Sequence, residues 1–186
     1  MKILLIVGLV ISSAWLIQSC NSSSTSENKS SLDSAKQANK ETKPVAKDAS
    51  DFAMNAAVGG MLEVESGKLA SRRAVNPRVK EFGQMMVKDH SAANEKLKSL
   101  ASTLNIALPD SVSADDRKQI TKLALKKGKD FDKAYMNMMV NDHEKDVAEF
   151  RKAADNLSDS TIKDFATRTL PTLEMHLDSA KAIAKK

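Results

Sequence analysis

One hexapeptide occurs twice in the chain. Residues 85–90 read Met-Met-Val-Lys-Asp-His and residues 138–143 read Met-Met-Val-Asn-Asp-His. An aromatic residue stands three positions before each copy, Phe82 before the first and Tyr135 before the second. Side chains three and four residues apart lie on the same face of an α-helix. The repeat therefore predicts two equivalent helices that present the same face to one core. Two of the three histidines in the chain belong to it.

From Asp51 onward, apolar residues recur at helical spacing, and no segment alternates as a half-buried strand does. The pattern predicts four long helices, at about 51–73, 77–104, 131–155 and 159–184, and a short helix at about 114–126. The fold class is therefore all-α, a four-helix bundle with a long crossover containing a short helix between the second and third long helices. Such a crossover makes these two helices run parallel.

The first residues have the pattern of an export signal. A mostly apolar run follows Lys2 and ends in Leu16-Ile17-Gln18-Ser19-Cys20, which resembles a bacterial lipoprotein signal. Residues 1–19 are therefore interpreted as a lipoprotein signal peptide and Cys20, the only cysteine, as the lipidated residue. The alternatives are an ordinary signal peptide with a chance cysteine and an uncleaved anchor. Attachment of two or three acyl chains would hold the protein stably on a membrane.

Residues 20–50 are predicted to be the lipidated cysteine and a disordered tether, and residues 51–186 to be the bundle. The tether contains few large apolar side chains, so little burial offsets the entropic cost of ordering it. The net charge of the chain is +5, with basic residues spread among acidic ones. This pattern does not favour nucleic-acid binding.

Each long helix is predicted to carry one ionisable residue on its apolar face. At 100° per residue these are Glu65, His90, His143 and His176. Four other acidic residues are predicted to point to the flanks of their helices or outward: Glu63, Asp89, Asp142 and Glu174. The helix lengths place the four inward residues near one level of the bundle.

This layer has two interpretations. Three imidazoles and one carboxylate are a sufficient ligand set for zinc, iron or copper, and Asp146 could accept a hydrogen bond from His143. Alternatively, the layer is a buried polar network in which each histidine pairs with Glu65, Asp146 or Tyr135. The methionines of the repeat could hold Cu(I), although at helical spacing they are typical of core packing.

No glycine-rich phosphate loop, serine-histidine-aspartate arrangement or pair of catalytic carboxylates is evident, which argues against an enzyme. The Glu-x-x-His pattern of di-iron bundles is missing at every histidine, because Val87, Val140 and Leu173 stand three residues before them.

Several segments together resemble a bacterial family of exported domains, domain of unknown function 4142. They are residues 56–70, Asn76-Pro77-x-Val79-Lys80, both copies of the hexapeptide, Phe131-Asp132-x-Ala134-Tyr135 and Leu170-Pro171-x-Leu173-x-x-His176-Leu177. The resemblance covers about residues 50–182. It implies a ferritin-like four-helix bundle in the periplasm or at the outer membrane, and it implies no established activity.

The resulting hypothesis is an envelope lipoprotein whose helical domain is a non-catalytic binding, structural or stress-related module. Its lipid would attach it to the periplasmic face of the outer membrane rather than to the inner membrane. Its partner would be an unidentified protein or a second copy of the chain. The alternative is a metal-binding protein that uses Glu65, His90, His143 and His176.

Overall fold

The computed structural model describes residues 30–42 and 46–185. Six helices lie in these residues, and no strand does. The helices are α1 (Ser31–Thr42), α2 (Lys47–Arg73), α3 (Pro77–Thr103), α4 (Ala114–Ala124), α5 (Gly128–Asn156) and α6 (Ser160–Ala184). The predicted all-α bundle is confirmed, and α4 lies in the crossover as expected. None of the described helices is long and apolar enough to cross a membrane.

Local sequence signals explain several helix ends. The side chain of Asn76 accepts a hydrogen bond from the backbone N–H of Arg78, and Pro77 occupies the first turn of α3, where its missing N–H is not needed. At the start of α6, the side chain of Asp159 accepts hydrogen bonds from the backbone N–H groups of Thr161 and Ile162. The third long helix was predicted to begin at about residue 131, but α5 begins three residues earlier, at Gly128.

Two hairpins form the bundle. α2 packs along α3, α5 packs along α6, and the hairpins meet through contacts of α2 with α5 and of α3 with α6. Asp132, near the start of α5, accepts hydrogen bonds from the backbone N–H groups of Val75 and Asn76, just before α3. At the other end, Ala101 of α3 and Ala153 of α5 share one apolar cluster. α3 and α5 therefore run parallel, as the long crossover predicted.

The apolar core consists of two clusters. One contains Leu97, Phe150 and Phe165, and the other contains Phe82 and Met139. The other buried methionines of α3 and α5 also lie in the second cluster, where they pack against aromatic and aliphatic side chains: Met86, Met136 and Met138. The three histidines belong to neither cluster.

The face of α2 that enters the core differs from the predicted one. The predicted face contained Glu65 and so also Met61 and Leu69, four residues before and after it. Both are only half-buried, whereas Gly60, Glu63 and Gly67 are buried. The reason is steric. An added Cβ on Gly67 would lie 2.8 Å from the backbone oxygen of Gly83 in α3, so the two helices touch backbone to backbone along a row of small residues. Hydropathy alone does not detect such a row.

Residues 31–42 differ from the predicted disordered tether, because they form α1. The carboxamide of Asn39 donates to the backbone oxygen of Ala107 at 2.9 Å and accepts from its N–H at 2.7 Å. Ala35 is buried on the same face of the helix. Large apolar side chains are few in this segment, but hydrogen bonds between a side chain and the backbone of another segment also offset the entropic cost of ordering. The predicted signal peptide and Cys20 lie outside the described residues.

Candidate metal centre

The three histidines meet in the middle of the bundle. His90 comes from α3, His143 from α5 and His176 from α6, and their ring centroids are 5.3 to 5.4 Å apart. His90 is 5% exposed, and the other two are fully buried. One ring nitrogen from each lies within 4.8 Å of the other two. The predicted convergence of these three side chains is confirmed.

The fourth predicted ligand is wrong. Glu65 is exposed and outside the cluster, whereas Glu63 is 2% exposed and its Oε2 lies 2.7 Å from Nδ1 of His90. The rotation of α2 that brings its glycines against α3 also turns Glu63 inward. The signal for Glu63 was therefore the run of small residues on its own face, including Gly60 and Gly67, rather than the apolar residues on either side.

Each histidine directs one ring nitrogen to an acceptor. Nδ1 of His143 donates to the backbone oxygen of Met139 at 3.1 Å. Nε2 of His176 lies 3.0 Å from the carboxylate of Asp89, which is partly exposed. Asp89 was expected on the flank of its helix, where it lies, but its contact with His176 was not predicted. It pairs with the histidine of a different helix rather than with its neighbour His90.

These acceptors assign the proton positions on the rings. A carbonyl can only accept, so His143 carries its proton on Nδ1, and the carboxylate of Asp89 favours a proton on Nε2 of His176. The remaining nitrogens, Nε2 of His143 and Nδ1 of His176, then face each other as two acceptors 3.4 Å apart. Nε2 of His90 has no hydrogen-bond partner among the described residues.

Burial determines the protonation of the cluster. It lowers the pKa of His143 to about 3 and that of His90 to about 4, and it also lowers the pKa of His176. All three rings are therefore neutral at pH 7, which is the form that binds metal ions. Burial raises the pKa of Glu63 to about 8, so the metal-free site also disfavours the carboxylate charge.

A second acidic group adjoins the histidines. Glu63, His143 and Asp146 each offer an atom within 4.8 Å of the other two, and burial raises the pKa of Asp146 well above its usual value. Oε1 of Glu63 lies 3.2 Å from Nδ1 of His143, which donates instead to Met139, so Oε1 accepts no hydrogen bond within the described ranges. The hydroxyl of Tyr135, a partner in the network interpretation, is buried and likewise has none there. The buried histidine and carboxyl groups could together hold a metal ion.

Comparison with known proteins identifies the family. Residues 34–183 match the family described as a domain of unknown function, DUF4142. No curated protein and no solved structure matches the chain. The match begins within α1 and ends in the last turn of α6, so it includes every residue of the histidine cluster and its carboxyl partners. The chain therefore belongs to the DUF4142 family of domains of unknown function.

Proposed function

We propose that this protein binds one divalent transition-metal ion through His90, His143 and His176. The observation that carries the proposal is the pair of ring nitrogens that face each other as acceptors at 3.4 Å, beside Nε2 of His90, which has no hydrogen-bond partner in the part of the chain that the structure describes. Two lone pairs that face each other in a buried space repel one another, and a cation removes that repulsion. A transition metal suits the site because imidazole is a preferred ligand of zinc, iron and copper.

The partners of the rings support the same role. Histidines that bind metals usually donate their second N–H to a carboxylate or a backbone carbonyl, which orients the ring. Here Glu63, the carbonyl of Met139 and Asp89 occupy those positions. Two carboxylates beside a divalent ion also balance its charge, which a buried ion needs. The polar network without metal explains the contacts of Glu63 and Asp89 with the rings, but it leaves the facing nitrogens of His143 and His176 without donors.

The test is metal binding by protein prepared without a histidine tag. After treatment with a chelator, the wild type is expected to bind one equivalent of Zn²⁺ in a calorimetric titration. A variant with His90→Ala and His143→Ala should bind none while it keeps its helical circular dichroism. If the double variant does not fold, His176→Gln provides the same comparison with a smaller loss of packing. Substoichiometric binding by a folded wild type would contradict the proposal and favour the inert polar network.

We further propose that the domain is attached to the bacterial envelope by lipid at Cys20, on the periplasmic face of the outer membrane. The apolar run that ends in Leu16-Ile17-Gln18-Ser19-Cys20 supports this assignment. Cells grown with labelled palmitate are expected to label the protein, and Cys20→Ala should abolish the label. Persistence of the label in that variant would exclude Cys20 as the attachment site.

A further inference from the structure

The two sides of the histidine layer differ. On one side the ring of Phe82 lies edge-on to both His143 and His176, with centroid distances of 6.4 and 6.5 Å. The ring of Tyr135 stands next to Phe82, at 6.3 Å. Aromatic rings therefore close this side of the layer. A further ligand of an ion held by the three histidines is therefore expected on the other side.

The other side opens onto a small cavity of about 20 Å³. Three of the residues around it, Ala93, Asp146 and Leu173, each lie three residues from a histidine on the same helix. That distance is about 4.5 Å along the helix axis, so the cavity is next to the layer. Glu63 and His90 also line it.

The cavity has the size and polarity to hold water. A buried water needs about 10–15 Å³ for its centre and two or more polar partners, and this space exceeds that volume. The carboxyl groups of Glu63 and Asp146 supply the partners, and Oε1 of Glu63 is one of the buried atoms without a hydrogen bond among the described residues. Larger molecules do not fit unless a side chain is removed.

We propose that the metal ion keeps a fourth coordination position, occupied by one exchangeable water molecule in this cavity. The inference rests on the proposed metal site and adds its ligand class: water-sized molecules that donate hydrogen bonds to Asp146 and Glu63. Three protein ligands with one open position distinguish reactive metal sites from structural ones, whose four positions are all filled by the protein. The cavity size then decides which molecules reach the ion.

Copper provides the probe for this position, because Cu²⁺ relaxes the protons of bound water and gives a visible band with azide. The full chain is loaded with one equivalent of Cu²⁺, and its copper content is measured first. The wild type is expected to relax water protons faster than the Ala93→Val variant, whose added methyl groups fill the cavity. Azide should give no new band in the wild type, because three linear atoms exceed the cavity.

The Leu173→Ala variant enlarges the same cavity and is expected to gain the azide band. If that variant does not fold, Leu173→Val provides a smaller enlargement. Equal water relaxation by the wild type and Ala93→Val, with equal copper content and no azide band in the enlarged variant, would overturn the exchangeable position. Absence of bound copper in the folded wild type would overturn the proposed metal site itself, so the two failures are distinguishable.

Discussion

Glu63 and Glu65 show how strongly the site depends on single residues. They are two positions apart, which places them about 200° apart around α2, on opposite faces. Glu63 contacts His90 inside the bundle, whereas Glu65 is exposed. Both are glutamates with apolar neighbours in the chain, so neither side-chain type nor local sequence distinguishes them. Only the orientation of the helix decides which carboxylate reaches the histidines.

The two glutamates form a matched pair for mutagenesis. Glu63→Gln removes the carboxylate that orients His90 and is expected to weaken metal binding by about 10–100-fold. Glu65→Gln makes the same chemical change at the exposed position and should leave the affinity unchanged. Competition with a chromophoric chelator measures both affinities. Equal losses in the two variants would contradict the assigned role of Glu63.

The stability of the metal-free protein should fall as the pH rises from 6.5 to 8. Glu63 loses its proton near pH 4.5 in the unfolded chain but near pH 8 in the folded protein. Its contribution to stability is therefore complete below pH 4.5 and is lost as the pH rises from 4.5 to 8. The three buried histidines act in the opposite sense, mainly below their unfolded pKa of 6.5, but they still return about 1 kcal/mol between pH 6.5 and 8. Glu63 alone loses about 1.6 kcal/mol over the same interval, so we expect a net loss of about 0.5–1 kcal/mol.

Urea unfolding in the presence of a chelator measures this dependence. Glu63→Gln cannot ionise and should lose part of the slope, because Asp142 and Asp146 then remain as the carboxyl groups whose pKa burial raises. Stability that increases with pH over this interval would show that Glu63 is already ionised in the folded, metal-free protein.

At the scale of elements, the contact between α2 and α3 sets the geometry of the site. Gly67 and Gly83 let the two helices approach so closely that a Cβ on Gly83 would lie 2.8 Å from that of Ala70. This close contact holds α2 in the orientation that turns Glu63 inward. The helices themselves follow from local periodicity and caps, whereas their rotation follows from the contact between them.

Gly83→Ala is expected to destabilise the protein by about 1–3 kcal/mol, because the added methyl group meets backbone and Ala70 that cannot move away easily. Gly59→Ala is the control. Its nearest neighbour, Oδ1 of Asp146, would be at an ordinary 3.7 Å, and alanine favours the helix by about 0.5–1 kcal/mol. Thermal unfolding of both variants tests the comparison, and similar effects would argue against a tight contact at Gly83.

Two polar residues attach α1 to the segment between α3 and α4: Asn39 binds the backbone of Ala107, and the hydroxyl of Ser31 donates to the carboxylate of Asp110 and accepts from its backbone N–H. Asn39→Ala removes both hydrogen bonds to the backbone of Ala107, so we expect α1 to detach while the bundle stays folded. Amide exchange within Ser31–Thr42 should then approach that of an unfolded peptide. Gln37→Ala, on the exposed face of the same helix, should leave the protection intact. Unchanged protection in Asn39→Ala would show that Ser31 and the apolar contacts hold α1 without Asn39.

At the scale of the whole molecule, four helices each contribute one ionisable side chain to a single layer: Glu63 from α2, His90 from α3, His143 from α5 and His176 from α6. The apolar clusters lie on either side of this layer. An ion bound there contacts three helices directly and the fourth through Glu63. Binding of the ion therefore links both hairpins of the bundle.

Because the unfolded chain does not assemble these ligands, metal binding should stabilise the folded protein. At a free metal concentration 100 times the dissociation constant, the gain is about 2.7 kcal/mol. We expect Zn²⁺ to raise the melting temperature by several degrees, and Mg²⁺, which prefers oxygen ligands, to leave it unchanged. A folded protein whose melting temperature does not respond to Zn²⁺, Cu²⁺ or Fe²⁺ would contradict the metal site.

The sequence by itself determined the four long helices and the short crossover helix, their approximate ends, the parallel course of α3 and α5, and the inward direction of the three histidines. These features depend on periodicity, caps and loop length, which are properties of neighbouring residues. Tertiary structure alone decided that Glu63 rather than Glu65 faces the histidines, that Asp89 pairs with His176, and that α1 is ordered. Each depends on steric fit or hydrogen bonds between residues far apart in the chain, which hydropathy along one helix does not record.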